Sequence, residues 1–97
     1  MEEKVIDKIL EVQALCLKIN SREKNTCFLS YYGHSDMLSL SVYERGWFMG
    51  IRNSKKFITY LYKGKEAIID MDKMIKYLKE IKDGIALQGW YWNIKET

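Results

Sequence analysis

The spacing of apolar residues changes twice along this chain, and that change limits the fold more than any other feature of the sequence. Near the N-terminus apolar residues recur every three or four positions, in the middle they alternate with polar ones, and towards the C-terminus the first spacing returns. The first pattern is typical of an amphipathic helix, and alternation is typical of a strand with one buried face. A helix, a set of strands and a second helix are therefore predicted in that order.

The two helices have different start and stop signals. The first is predicted from Glu2 to about Arg22, and its apolar stripe consists of Val5, Ile9, Val12, Cys16 and Ile19, widened by Ile6, Leu10 and Leu17. The second is predicted to begin at Asp70 or Asp72, since either is a good N-cap, and to end at Gly84, a plausible C-cap. Its apolar side is Met71, Met74, Ile75, Leu78 and Ile81.

Strands are predicted between the helices. Leu38, Leu40 and Val42 alternate with polar residues within Met37 to Glu44, and Trp47 to Arg52 alternates as a further strand. Thr26 to Tyr32 lacks clean alternation, so it is expected to be covered on both sides, and Phe57 to Tyr62 offers a fourth strand. The intervening loops are short, which favours an antiparallel meander.

These elements predict one α+β domain over residues 1–97. It contains an antiparallel meander of three to four strands flanked by N- and C-terminal helices, in the order α-β-β-β-(β)-α. Two helices are most simply packed on one face of such a sheet. No internal repeat or linker divides the chain.

Charge and cysteine content exclude several classes of protein. Sixteen Lys and Arg against 13 Asp and Glu give a net charge of +3, which is less basic than a dedicated nucleic-acid module. No disulfide framework is expected from Cys16 and Cys27, which should behave as small buried hydrophobes in a reducing cytoplasm. The sequence has neither a signal-peptide pattern nor an apolar run of membrane-spanning length. A protein of the cytoplasm is expected.

The only histidine lies in the loop Gly33-His34-Ser35-Asp36. These residue types are those of a hydrolytic triad, but neighbours in sequence cannot generally align their functional atoms. A four-residue hairpin turn is the preferred interpretation, with Gly33 at positive φ and with Ser35 and Asp36 accepting bonds from backbone amides. A small enzyme built around His34 remains a third hypothesis. One His and two separated Cys fit no zinc spacing, and no metal or cofactor is expected.

Aromatic and basic residues are interleaved over the predicted strands and loops. Such a pattern occurs in sheets that stack bases, and also in ordinary sheets, because strands favour aromatic residues. The residues that would serve a nucleic-acid-binding module are Arg45, Arg52, Lys55, Lys56, Tyr60, Tyr62, Lys63 and Lys65.

The C-terminal cluster Trp90-Tyr91-Trp92 allows two interpretations. It completes the core of a small domain, or it anchors a second copy of the chain or another partner. A long exposed aromatic tail would favour aggregation, so some surface is expected to cover it.

The run from Tyr32 to Asp36, the alternating strand from Leu38 to Tyr43 and the following Gly46-Trp47 resemble a pattern in small proteins encoded by phages and prophages of low-GC Gram-positive bacteria. The resemblance implies an accessory protein of a mobile element and brings no catalytic residues with it. We therefore predict a non-enzymatic protein that forms a homodimer in the host cytoplasm. It is expected to bind and modulate a protein partner, as an inhibitor of a host factor or of a defence system. Its expected partner-binding residues are His34, Asp36, Trp47, Trp90, Tyr91 and Trp92, and a nucleic-acid-binding module is the alternative.

Overall fold

The computed structural model describes residues 1–20, 25–44 and 55–96, with side chains described as far as residue 83. Helix α1 covers Glu3–Ile19, the strands are β1 (Thr26–Tyr32), β2 (Met37–Tyr43) and β3 (Lys55–Tyr60), and helix α2 covers Lys65–Glu96 after a 3-10 turn at Leu61–Lys63. The predicted α+β fold is confirmed. The predicted strand from Trp47 to Arg52 lies outside the described residues, and the strand expected at Phe57 to Tyr62 is β3, which begins and ends two residues earlier.

The three strands form an antiparallel sheet in the order β1-β2-β3. Leu40 on the central strand lies opposite Leu29 on β1 and Phe57 on β3, so these three share one face of the sheet. Leu38, Leu40 and Val42 are fully buried on that face, as their alternation predicts. The expectation that β1 is covered on both sides is wrong, because Phe28 and Tyr32 are 43% and 44% exposed on the opposite face.

Both helices pack on the face that carries Leu40. They contact each other along their length, and α1 also contacts β1 while α2 contacts β3. The core consists of Val5, Val12, Leu15, Cys16, Ile19, Leu38, Leu40, Val42, Leu61, Ala67, Met71, Met74, Ile75 and Leu78. Lys8 Nζ of α1 lies 2.6 Å from Asp72 Oδ1 of α2, which links the two helices. Thr59 Oγ1 of β3 donates to Asp70 Oδ2 of α2 at 2.8 Å, which links the sheet to the helix layer.

The apolar stripe of α1 is narrower than predicted on one side. Ile6, Leu10 and Leu17 are exposed, whereas Leu15 is buried. An α-helix turns about 100° per residue, which places Leu10 and Leu17 far round the helix from the buried residues Val12 and Ile19. The outer side of α1 therefore carries apolar residues that the described core does not use.

Helix α2 is longer than predicted at both ends. It begins at Lys65, directly after Gly64, whose φ is 59°. Asp70 does not cap it but accepts the hydrogen bond from Thr59. The helix then passes through Gly84, so the predicted C-cap is wrong: an interior glycine weakens a helix by about 1 kcal/mol but does not by itself end one. In the part of the chain that the structure describes, no helix is long and apolar enough to cross a membrane.

Candidate functional site: the open face of the sheet

The face of the sheet opposite the helices is the main candidate site. Side chains alternate between faces along each strand, so the register of the sheet fixes which residues point away from the helices. We call this surface the open face. Its described residues are Thr26, Phe28, Ser30, Tyr32, Met37, Ser39, Ser41, Tyr43, Lys56, Ile58 and Tyr60.

Aromatic side chains surround a floor of serines on the open face. Ser30 pairs with Ser39 across β1 and β2, and Ser41 lies beside them on the central strand. Phe28 and Tyr43 form an edge-to-face pair with ring centroids 5.6 Å apart. These side chains, with Tyr32 and Lys56, line a shallow depression of about 310 Å³. Small hydroxyl side chains at the centre and rings at the margin leave room for a ligand group and offer it hydrogen bonds.

Lys56 is the one charged residue among the described residues of the open face, and it lines the depression. The neighbouring acid Glu44 lies past the end of β2 and accepts a hydrogen bond from Tyr77 of α2 at 2.7 Å. Burial and that bond raise the pKa of Tyr77, which keeps its hydroxyl protonated. Because no carboxylate belongs to the described open face, its charge is positive and concentrated at one point.

The lysines proposed for nucleic-acid binding do not gather on this face. Lys55 and Lys56 are adjacent in β3 and so point to opposite sides, and Lys55 Nζ lies 5.4 Å from the ring centroid of Phe57 on the helix side. Lys63 pairs with Glu66 at 3.9 Å, within the turn that leads into α2.

Three further members of that set have different positions. Tyr60 belongs to the open face, and Lys63 Nζ lies 5.7 Å from its ring centroid. Tyr62 packs against Tyr60 with centroids 5.9 Å apart but belongs to the 3-10 turn, and Lys65 is the first residue of α2. Of this set, the structure brings Lys63 and Tyr62 together with Tyr60, and Lys56 lies on the same face of β3 four residues from Tyr60. Arg45 and Arg52 lie outside the described residues.

The loop from Gly33 to Asp36 is a hairpin turn, as predicted. Its backbone bonds run from Ser35 N to Tyr32 O at 3.3 Å and from Asp36 N to Gly33 O at 3.4 Å. The residue at positive φ is Asp36, at 53°, and not Gly33. Asp36 can adopt this conformation because aspartate tolerates the left-handed region, and the hydroxyl of Tyr31 holds its side chain in place.

The side chains of this turn are committed to structural bonds. Asp36 Oδ1 accepts a hydrogen bond from the hydroxyl of Tyr31 at 2.8 Å, which raises the pKa of Tyr31. Ser35 Oγ donates to the carbonyl of Tyr32 at 3.4 Å. The expectation that both side chains accept bonds from backbone amides is therefore wrong. His34 is exposed at the tip of the turn, and its two neighbours are not arranged around it as a catalytic triad.

Among the residues predicted to bind a partner, His34 and Asp36 lie in the hairpin turn between β1 and β2. Asp36 lines a second cavity of about 450 Å³, on the helix side of the sheet, with Glu2, Tyr31 and Tyr62 among its other residues. Trp90, Tyr91 and Trp92 belong to the last turns of α2 by their backbone, and their side chains, like Trp47 as a whole, lie outside what is described. At about 1.5 Å per residue, Trp90 is about 37 Å along the helix axis from Lys65.

Several residues of the open face were missed at the level of sequence, although a signal was present. The four-residue turn fixes the register of β1 against β2, so that Tyr32 lies opposite Met37. Counting back in steps of two then places Ser30 opposite Ser39 and Phe28 opposite Ser41. Ile58 follows from the same alternation on β3. On β1 the consecutive apolar residues Cys27, Phe28 and Leu29 interrupt the alternation of apolar and polar residues, so the sequence does not show which of them point outward.

Among the described residues, no three His, Cys, Asp or Glu side chains are close enough together to hold a metal ion. Comparisons of the chain with protein-family models, with curated proteins and with solved structures find no match.

Proposed function

We propose that this chain is a non-enzymatic binding protein that holds one segment of a partner protein on the open face of its sheet. The observation that carries the proposal is the composition of that face, where tyrosine, phenylalanine, isoleucine and serine occur with a single charge among the described residues. Binding surfaces are enriched in tyrosine and serine because rigid rings supply contact area at low entropic cost and hydroxyls supply adaptable hydrogen bonds.

The size of the open face indicates the size of the bound segment. Strands spaced about 4.8 Å apart and rising about 3.3 Å per residue give a platform of about 10 by 20 Å. A standard interface buries about 800 Å² on each partner, which is well beyond such a platform. The face therefore suits a loop or a short extended segment. By itself it does not provide enough area for the predicted homodimer.

Charge complementarity defines the segment further. Lys56 stands in the depression without a carboxylate beside it on the described open face. A partner segment that places an acidic side chain over Lys56 and apolar side chains against Phe28 and Ile58 matches this surface. The resemblance of the Tyr32 to Asp36 turn to phage-encoded proteins supports a partner in a bacterial host, either a host factor or a component of a defence system.

A matched pair of isoleucines provides the test. Ile58 on the open face is 47% exposed and Ile69 on α2 is 55% exposed, so Ile58→Glu and Ile69→Glu introduce the same charge at similarly accessible sites. A host protein retained by the wild type and by Ile69→Glu but lost from Ile58→Glu, and then binding directly as a purified protein, supports the proposal. Equal retention by both folded variants contradicts it.

A single-stranded nucleic acid is the second candidate, favoured by the position of Lys63 beside the ring of Tyr60. This second candidate predicts weak binding. Contacts between cationic side chains and phosphates dominate the affinity for nucleic acid, and few cations lie on the described open face. Fluorescence anisotropy with labelled single-stranded DNA and RNA at low and moderate salt separates the two candidates. Binding that weakens log-linearly with salt and falls in Lys56→Gln would replace the protein partner with nucleic acid.

A further inference from the structure

The two cysteines of the chain are brought together where α1 ends and β1 begins. Asn20, which follows α1, donates its backbone N–H to the carbonyl of Cys16 at 2.9 Å. Its side-chain Oδ1 accepts the backbone N–H of Cys27 at 3.0 Å. One asparagine therefore ties the backbone of both cysteines to the same point.

The side chains of the pair belong to the same core. Cys16 is one of the buried core residues, Cys27 packs against that core, and each thiol shifts the pKa of the other. Their environments differ, since Cys16 is buried and Cys27 is only half-buried. A disulfide places its two sulfurs about 2.05 Å apart and needs the backbones of its two cysteines held as near neighbours, which the bonds of Asn20 provide.

We propose that Cys16 and Cys27 form an oxidation site that closes to an intramolecular disulfide on reaction with a peroxide. The proposal is independent of what the open face binds. It identifies a small hydroperoxide as the co-reactant, Cys27 as the sulfur that reacts first and Cys16 as the sulfur that completes the bond.

The reaction is balanced in two steps. The thiolate sulfur of Cys27 attacks one peroxide oxygen, the O–O bond breaks, and the departing hydroxide takes up a proton to become water, leaving a sulfenic acid on Cys27. The sulfur of Cys16 then loses its proton and attacks the sulfur of Cys27. The S–O bond breaks, and the hydroxide leaves as a second water with that proton. Two thiols lose two electrons, and one hydrogen peroxide becomes two waters.

Exposure and acidity assign this order. Cys27 is the more accessible thiol, and the hydrogen bond from Cys16 lowers its pKa, which favours the reactive thiolate. The same hydrogen bond and burial raise the pKa of Cys16, so Cys16 stays protonated until its partner has been oxidised. Tyr77 on α2 also interacts with this pair, since the charge of Cys27 contributes to the raised pKa of Tyr77.

Mass spectrometry of the reduced full chain tests the proposal. After treatment with one equivalent of hydrogen peroxide and then iodoacetamide, we expect a monomer about 2 Da lighter than the reduced chain, with no alkyl group added. Digestion without reductant should give one joined peptide pair containing both cysteines. Alkylation of both cysteines, or oxidation that yields only cross-linked dimers, overturns the proposal.

Two serine variants test the order of the steps. In Cys16→Ser the reaction should stop at a sulfenic acid on Cys27, which dimedone traps, whereas Cys27→Ser should leave Cys16 unmodified at the same peroxide dose. Trapping at Cys16 instead overturns the assigned order. The wild-type disulfide should also raise the thermal midpoint by about 5–15 °C, reversibly with dithiothreitol, because it closes a loop of about a dozen residues.

Discussion

Two leucines on one helix give the most direct test of the packing. Leu15 and Leu17 both lie inside α1, but Leu15 is 5% exposed and Leu17 is 70% exposed. The sequence places Leu17 in the apolar stripe, whereas the structure places Leu15 there. Changing each to alanine alters the same three carbons in the same helix, so differences in helix propensity largely cancel between the variants.

The expected magnitudes follow from burial. Truncating a buried leucine removes its transfer free energy and leaves a cavity, which together cost about 2–5 kcal/mol. Leu15 contacts a core shared by both helices and the sheet, so we expect Leu15→Ala to lower the free energy of unfolding by about 3 kcal/mol. For Leu17→Ala we expect a change of about 0.5 kcal/mol or less, as for surface substitutions.

Urea unfolding followed by far-UV circular dichroism measures both changes. With a slope of about 1–1.5 kcal/mol per molar urea for a domain of this size, Leu15→Ala should move the midpoint down by about 2–3 M. The midpoint of Leu17→Ala should stay within about 0.5 M of the wild type. Equal shifts, or a larger shift for Leu17→Ala, would refute the described orientation of α1.

Three further predictions concern a glycine, a hydrogen bond and an ionisable tyrosine. Gly64→Ala should destabilise the chain by about 1–2 kcal/mol through backbone strain at its φ of 59°, whereas Gly33→Ala should be near neutral, and thermal unfolding compares them. Thr59→Val should cost about 1–2 kcal/mol in urea unfolding, because it leaves a half-buried carboxylate of α2 without its donor. Burial and the bond to Glu44 raise the pKa of Tyr77, so the folded state keeps its proton longer than the unfolded state. The stability that Tyr77 contributes is therefore fully present below a pH of about 10 and is lost as the pH rises further. In urea unfolding at several pH values, Tyr77→Phe should show a smaller fall of stability above pH of about 10 than the wild type. An unchanged slope in that variant contradicts the last prediction.

Local patterns predicted the central strand and the first hairpin of the sheet. The alternation of Leu38, Leu40 and Val42 with serines defines the buried face of β2, and the Gly33 to Asp36 turn sets its pairing with β1. Both signals act between residues that are close in sequence. They could be read from the chain because short loops leave few alternatives for the strand register.

The helix boundaries depend on contacts that local patterns do not contain. Asp70 has the properties of an N-cap, but in the fold it accepts a bond from Thr59 across the layer boundary. Gly84 has the properties of a C-cap, but α2 continues to Glu96. The choice between Leu15 and Leu17, in contrast, follows from spacing, because Leu15 lies three residues after Val12 and four before Ile19 on the buried face of α1.

The candidate site was only partly predictable for a related reason. Ser39, Ser41 and Tyr43 could be assigned to an outward face from alternation, but the rings that join them from β1 and β3 depend on the register of all three strands. Residues chosen for their chemical type, such as His34 and Trp90, lie in the hairpin turn and in α2 and do not belong to the open face. Their role in binding a partner stays a prediction.

The energetics of folding give an independent reason to regard the open face as functional. Phe28, Tyr32 and Ile58 each remain more than 40% exposed, so polar substitutes at these positions would cost the fold little. A chain that needed only to fold and stay soluble would gain by placing polar residues there, since exposed apolar patches promote association. Replacing Ile58 should therefore change binding far more than stability, whereas replacing Leu40, fully buried on the opposite face, should reduce both.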